Sequence, residues 1–412
     1  MRKLITLSLA LLSSLTIMAE NKTVASPDGR LVITVSNDGG HAAYAVTYDG
    51  KQMLQASALG LQTNYGDFTQ SLTLKDAKES KVDKTYENLR IKKSSAHYIA
   101  NQLDLNYENN DKLPMTITFC VSDNDIAFRY TLPRPAKGNP KCAIVYSEAS
   151  AFNFPEQTTT FICPQITPMT GWERTKPSYE EEYKTDAPMN VKSQFGVGYT
   201  FPCLFHIGNN GWALVSETGV TSNYCGSRLS DYQPGAGYTV AYPQKGENNG
   251  IGSEFVGISL PSSTPWRTIT VGSSLKPIVE TTIPYDVVDP LYQPSIDYKP
   301  GRYTWSWLIW QDNSVNYDDQ VKFIDLSSAM GYEYVLVDGS WDTQIGRDRM
   351  PELSKYAQSK GVSLLLWYNS NGYENDAPQT PRNCMNTSIA RKHDMAWMKS
   401  IGVKGIKVDF FA

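Results

Sequence analysis

The chain has 412 residues, 41% hydrophobic, 11% aromatic and 19% charged, a globular composition that excludes collagen, a coiled coil and a disordered tail. Its formal net charge of −4 provides no basic excess for nucleic acid or an anionic membrane. At about 100–200 residues per domain, the length allows two to four domains.

The unusual feature is aromatic: 25 Tyr and 9 Trp stand beside only 4 His. Flat apolar faces with a polar handle suit both sheet packing and sugar binding, and composition does not choose between those uses. At the N-terminus, Arg2 and Lys3 precede an apolar stretch from Leu4 to Leu12 that weakens toward Ile17, with small residues at Ala19. Residues 1–19 read as a secretory signal peptide, so the expected product is periplasmic or secreted, with no membrane span after signal removal. Six cysteines are widely spread without a CxxC pair, which excludes a zinc ribbon and permits disulfides without specifying them.

Residues 20–285 are patterned in period two. Leu31, Ile33 and Val35 alternate with polar residues, as do Tyr44, Val46 and Tyr48 up to an Asp49-Gly50 turn. Met115, Ile117, Phe119 and Val121 run into Asp123-Asn124-Asp125, after which Ile126, Phe128 and Tyr130 resume. Alternation, tight polar turn and renewed alternation predict β-hairpins, and the whole region predicts an antiparallel β-sandwich.

From residue 286 to 412 the pattern changes. Tyr303 to Trp310 reads as a strand, Tyr317 to Met330 as a helix and Tyr334 to Asp338 as a buried strand. Met350 to Lys360 reads as a helix closed by Gly361, and Val362 to Tyr368 as a third strand. Ser388 to Ser400 predicts a helix and Val403 to Phe411 a fourth strand. Apolar, unalternating strands separated by helices mean parallel βα units. Polar residues at successive strand ends (Asp312, Asp338, Asn369, Asp409) match where a (β/α)8 barrel carries its site. A doubly wound sheet also uses that edge, but no glycine-rich phosphate loop follows the first strand.

Asp409 is the most informative residue. Period two places Lys407 beside it on one strand face, where a cation favours the ionised carboxylate that a nucleophile requires. The alternative is a structural ion pair. Asp338 is a candidate for sugar hydroxyls with the Trp341 indole on a ring face, or else a loop cap; Asn369 is a further candidate sugar contact. Tyr179-Glu-Glu-Glu-Tyr183 is a compact acidic cluster, either a solvated loop or a donor set for a hard cation.

Five segments, in this order, resemble glycoside hydrolase family 97 across nearly the whole chain after residue 19: Tyr179-Glu-Glu-Glu-Tyr183, Gly211-Trp-Ala-Leu-Val-Ser-Glu217, Lys299-Pro-Gly-Arg-Tyr-Thr-Trp-Ser-Trp307, Glu333-Tyr-Val-Leu-Val-Asp338 and Gly405-Ile-Lys-Val-Asp-Phe-Phe411. The resemblance implies an N-terminal β-super-sandwich, a catalytic (β/α)8 TIM barrel and a small C-terminal β domain. It also implies exo-acting α-glycosidases of the bacterial periplasm with Ca²⁺ near the site, for which Glu180 and Glu182 are candidate ligands. Many relatives carry Asp where this chain has Ser306.

By the same resemblance, Asp409 occupies the nucleophile position of the retaining, α-galactosidase-like branch, and Lys407 resembles its sugar-binding lysine. The family's acid Glu and most calcium-binding glutamates come from loops after later barrel strands, whereas this chain stops at Ala412. The expectation is therefore a C-terminally truncated protein holding the first four barrel strands, without its general acid, and incomplete, unstable or inactive unless a second fragment completes it. The expected function is hydrolysis of terminal α-galactosides in oligosaccharides. The alternatives are an α-glucosidase of the same family and a non-catalytic glycan-binding protein.

Overall fold

The computed structural model describes residues 21–410 except 137, 139, 169–181, 183, 248, 249, 251 and 371–376. The expected signal peptide lies outside the described residues, as does Glu180. No helix among the described residues is long and apolar enough to cross a membrane.

The N-terminal part is a β-sandwich. Strands Leu31–Asp38 and His41–Tyr48 pair antiparallel with Leu31 opposite Tyr48, and their inward residues Leu31, Ile33, Val35, Tyr44 and Val46 are buried. The next hairpin turns at Asp49 (φ 50°) and Gly50 (φ 72°), two left-handed residues whose twist suits a tight hairpin. This four-stranded sheet faces a larger one that includes Pro114–Val121, Asp125–Leu132, Trp212–Thr218 and Trp266–Gly272. Tyr44 crosses the gap, its ring centroid 5.9 Å from that of Phe119 and 5.4 Å from that of Phe128. One apolar cluster from Val24 to Val271 fills the interior. The cysteines form no disulfide.

Within this domain Arg267 is fully buried and held by Glu148 through a two-pronged bond, Nε to Oε1 at 2.9 Å and Nη2 to Oε2 at 2.7 Å. Its Nη1 reaches Glu217 and, at 2.9 Å, the Ser227 hydroxyl. The triad ties together strands distant in sequence. Removing Arg267 would leave two carboxylates uncompensated at a dry site.

After the strand Trp266–Gly272, short helices Lys276–Glu280 and Ile283–Asp286 lead to a largely exposed connection. Asp286 accepts from the Tyr86 hydroxyl at 2.7 Å, and Lys84 pairs with Asp289 at 2.6 Å, so the long hairpin Thr73–Glu108 anchors the exit.

The C-terminal part is a partial α/β domain. Four strands, Tyr303–Trp305, Tyr334–Val337, Ser363–Asn369 and Gly405–Asp409, run parallel and neighbour one another in chain order. Helices Tyr317–Ala329, Met350–Ser359 and Ser388–Ser400 connect them. Asn316 and Thr387 cap two of these helices, accepting from Asp319 N–H and Ala390 N–H. Gly361 (φ 76°) ends the helix before the third strand, a conformation that costs a glycine little.

One predicted element differs. The expected strand from Tyr303 to Trp310 is a strand only to Trp305, and Trp307–Trp310 is a helical turn with Trp310 N–H bonded to Ser306 C=O at 3.0 Å. An apolar run without alternation does not distinguish strand from helix. Here Leu308 and Ile309 face solvent, and the Trp307 indole donates to Asp312 at 2.8 Å, which favours the curled form.

Asp125 gives the sandwich a pH signature. Its Oδ1 accepts from the hydroxyls of Thr270 at 2.5 Å and Thr281 at 2.7 Å, yet burial pushes its carboxyl up to about 6, with Asp286 adding to the shift. In the unfolded chain the group titrates near 3.9. Between these values the folded state keeps a proton that the unfolded state has released, so stability is greatest at low pH and falls as pH rises through the folded value. Asp125→Asn cannot ionise. Relative to it, the parent should lose about 1–3 kcal/mol between pH 4 and pH 7.5 in denaturant titrations. Identical pH dependence in the two proteins would exclude Asp125 as the source.

Candidate active site

The ends of the parallel strands assemble a compact charged cluster. The third and fourth strands pair Trp367 with Lys407 and Asn369 with Asp409. Residues two apart share a strand face, so Lys407 and Asp409 stand on the same side of the sheet. Lys407 Nζ lies 3.5 Å from Asp409 Oδ2 and 3.4 Å from Asp338 Oδ2. It also sits 4.1 Å from the centroid of the Trp305 ring, a cation–π contact. The ion pair expected on one strand thus extends across two more: a single ammonium serves both carboxylates.

Each carboxylate is also oriented by an indole and by a backbone amide. Trp305 Nε1 donates to Asp338 Oδ2 at 2.6 Å, and Gly339 N–H donates to Asp338 Oδ1 at 2.7 Å. Trp367 Nε1 donates to Asp409 Oδ2 at 3.2 Å, and Phe410 N–H donates to Asp409 Oδ1 at 2.9 Å. Hydrogen bonds to ionised acceptors are about twice as strong as neutral ones, and here they fix carboxylate planes as well as positions. Asp409 and Lys407 remain about a third exposed, whereas Asp338 is nearly buried. Asp409 is thus accessible to a ligand and Asp338 acts from beneath.

Two expected sugar contacts are corrected. Trp341 is fully buried: it stacks on Trp397 at 5.6 Å and donates its indole N–H to Trp367 C=O at 2.9 Å. The chain turns through Ser340 (φ 69°) into the short helix Trp341–Gln344, which places the indole on the core side. Asn369 is also buried, its amide 3.4 Å from Ala377 C=O and 3.3 Å from Gln379 C=O, so it holds a loop. Beneath them Arg347 lies 4.6 Å from the Trp397 ring centroid and bonds Asp394 at 2.7 Å. Burial raises the Asp394 carboxyl, but Arg347 outweighs it and holds the group below its ordinary value.

Trp305, Trp307 and Trp367 were not singled out from the sequence. Trp305 and Trp307 stack at 5.6 Å and stay half-buried beside Lys407, so they are the aromatic faces available at this rim. Their one sequence signal is a tryptophan within a predicted strand, Trp305 and Trp307 in the first and Trp367 next to the end of the third. Ser306 between them points inward, its hydroxyl 2.8 Å from Ser314 Oγ and 2.9 Å from Gln320 Nε2. Of the calcium candidates, Glu182 is exposed, and no group of three His, Cys, Asp or Glu among the described residues is placed to hold a metal.

Two family profiles match the chain, Glycosyl-hydrolase 97 N-terminal over residues 24–290 and Glycoside hydrolase 97 over residues 302–412. The chain belongs to glycoside hydrolase family 97. A retaining alpha-galactosidase of Bacteroides thetaiotaomicron is 25% identical over 446 residues, covering 100% of this chain and 63% of that relative. A probable retaining alpha-galactosidase of Streptomyces bingchenggensis is 24% identical, covering 94% and 56%. The chain therefore spans less than two thirds of these curated relatives. The crystal structure of a beta-arabinopyranosidase is 56% identical with a TM-score of 0.92, over 95% of this chain and 62% of that one. A family 97 enzyme from Pseudoalteromonas sp. strain K8 in complex with panose, 18% identical, has a TM-score of 0.74 over 95% and 59%, and shares the fold.

If Lys407 is the common counter-charge, Lys407→Met leaves Asp338 and Asp409 without it. Denaturant titrations should then show Lys407→Met less stable than the parent by about 1 kcal/mol. Equal stability of the two proteins would reduce Lys407 to a surface charge.

Proposed function

We propose that this family 97 protein is an exo-acting retaining glycoside hydrolase with Asp409 as its nucleophile. The observation that carries this reading is the Asp338–Lys407–Asp409 cluster at the strand ends, with Asp409 the accessible carboxylate. An Asp409 oxygen would bond to the anomeric carbon as the glycosidic C–O bond breaks, and a carboxylic acid elsewhere in the protein would protonate the leaving oxygen. Water, deprotonated by that same group, would then bond to the anomeric carbon and release Asp409 as a carboxylate. This geometry requires the two carboxyls to be about 5–5.5 Å apart. Lys407 and Asp338 would hold sugar hydroxyls, and the Trp305–Trp307 stack offers the ring face.

The sugar we infer has the ring stereochemistry of an α-D-galactoside. A β-L-arabinopyranoside has that same ring without the exocyclic hydroxymethyl group, so the names of the curated relatives and of the 56% identical structure point to one configuration. The 56% identity favours the pentose. Four parallel strands in unbroken chain order, without the reversal of a doubly wound sheet, support a barrel as the complete catalytic fold. Export by residues 1–19 and calcium binding with Glu182 as a donor belong to the same reading, and no step above is routed through the ion.

Nitrophenyl β-L-arabinopyranoside and nitrophenyl α-D-galactopyranoside should both be cleaved, the pentoside faster, and Asp409→Asn should lower either rate by at least about 10³-fold. Full turnover by Asp409→Asn would overturn the nucleophile. Cleavage of the α-glucoside alone would move the specificity, and binding without hydrolysis would make this a glycan-binding protein. Calcium is tested separately: EGTA should lower the melting temperature of the parent more than that of Glu182→Gln, and an equal response would remove Glu182 from the donor set.

A further inference from the structure

We propose that Trp367 is a positioning residue whose indole N–H governs the departure of Asp409 from the glycosyl-enzyme. This inference rests on the nucleophile reading above. Trp367 lies on the third parallel strand, paired with Lys407 and thus diagonal to Asp409, and is buried. Its Nε1–H is 3.2 Å from Asp409 Oδ2.

The ring is locked from several directions. The Gly339 backbone packs against it, close enough that a Cβ at residue 339 would sit 3.3 Å from Cε3 and 3.4 Å from Cδ2. Phe410 meets it edge-on at 5.5 Å, and its own carbonyl is held by the Trp341 indole at 2.9 Å. Glycine at 339 therefore has a packing reason: it lets the indole lie where its N–H reaches the carboxylate.

The chemical consequence follows from charge. Free Asp409 is an anion, whereas in the glycosyl-enzyme it is a neutral ester. A donor fixed on its oxygen stabilises the anion more than the ester. It therefore assists the second step, in which water bonds to the anomeric carbon, gives its proton to a carboxylate base, and the bond from that carbon to Asp409 breaks with its electron pair returning to the carboxylate. In the first step the carboxylate still carries most of its charge in the oxocarbenium-like transition state, so the donor changes that barrier little. Lys407 supplies charge to both Asp338 and Asp409, but the indole N–H is directed at Asp409 alone.

The test is Trp367→Phe, which keeps an aromatic ring and removes the N–H, in the protein as its gene encodes it. With the better of the two nitrophenyl glycosides, kcat and KM should fall together by about tenfold while kcat/KM changes less than threefold, and a burst of nitrophenol should report accumulated glycosyl-enzyme. A fall in kcat/KM without a burst, or unchanged kinetics, overturns the proposal. Should Trp367→Phe fail to fold in a thermal melt, incorporation of 3-benzothienylalanine at position 367 decides by the same criteria, because it keeps the bicyclic ring and removes the N–H. Asp409→Asn separates the two levels: if it retains turnover the nucleophile reading fails, whereas if it is dead and Trp367→Phe shows no split, only the role of Trp367 fails.

Discussion

The candidate site depends on the register between the third and fourth parallel strands. Pairing Trp367 with Lys407 and Asn369 with Asp409 puts ammonium, carboxylate and indole on one side of the sheet at one level. A slip of one residue would turn Lys407 and Asp409 to the opposite face and separate every group described here. The register is secured away from the charges by Leu364, Leu366 and Tyr368, which are buried in an apolar cluster with Val335, Val337 and Trp341. Core packing, not the ion pair, sets where the ion pair forms. An exposed or half-exposed pair has too little net energy to do so itself.

The β-sandwich solves a different problem. Its large interior is mainly apolar, and Arg267 with Glu148 and Glu217 places a charged triad among the polar groups buried in this domain. An apolar replacement of similar volume can match a buried triad in stability. What such a replacement lacks is direction: the guanidinium fork accepts only one arrangement of the strands that carry Glu148, Glu217 and Arg267.

Much of this was legible in the sequence, for identifiable reasons. Strand period and turn chemistry are local, so the hairpin from Leu31 to Tyr48 and the helix Ser388–Ser400 could be read directly. Lys407 beside Asp409 needed only strand geometry. The Tyr303–Trp310 stretch misled because its apolar run carries no period, and the inward turn of Trp341 depends on the left-handed Ser340. Trp305 and Trp367 were missed because an indole N–H finds its acceptor on a neighbouring strand, and cross-strand partners are written in the register rather than in any one segment.

The cluster at the strand ends is unbalanced: two carboxylates share one ammonium. A surplus negative charge at the strand ends attracts cationic groups and repels anionic ones. On the proposed reading, the arrangement would discriminate by charge before any hydroxyl is read. Uronic acids and sulfated residues would then be disfavoured at this position, and neutral chain ends admitted.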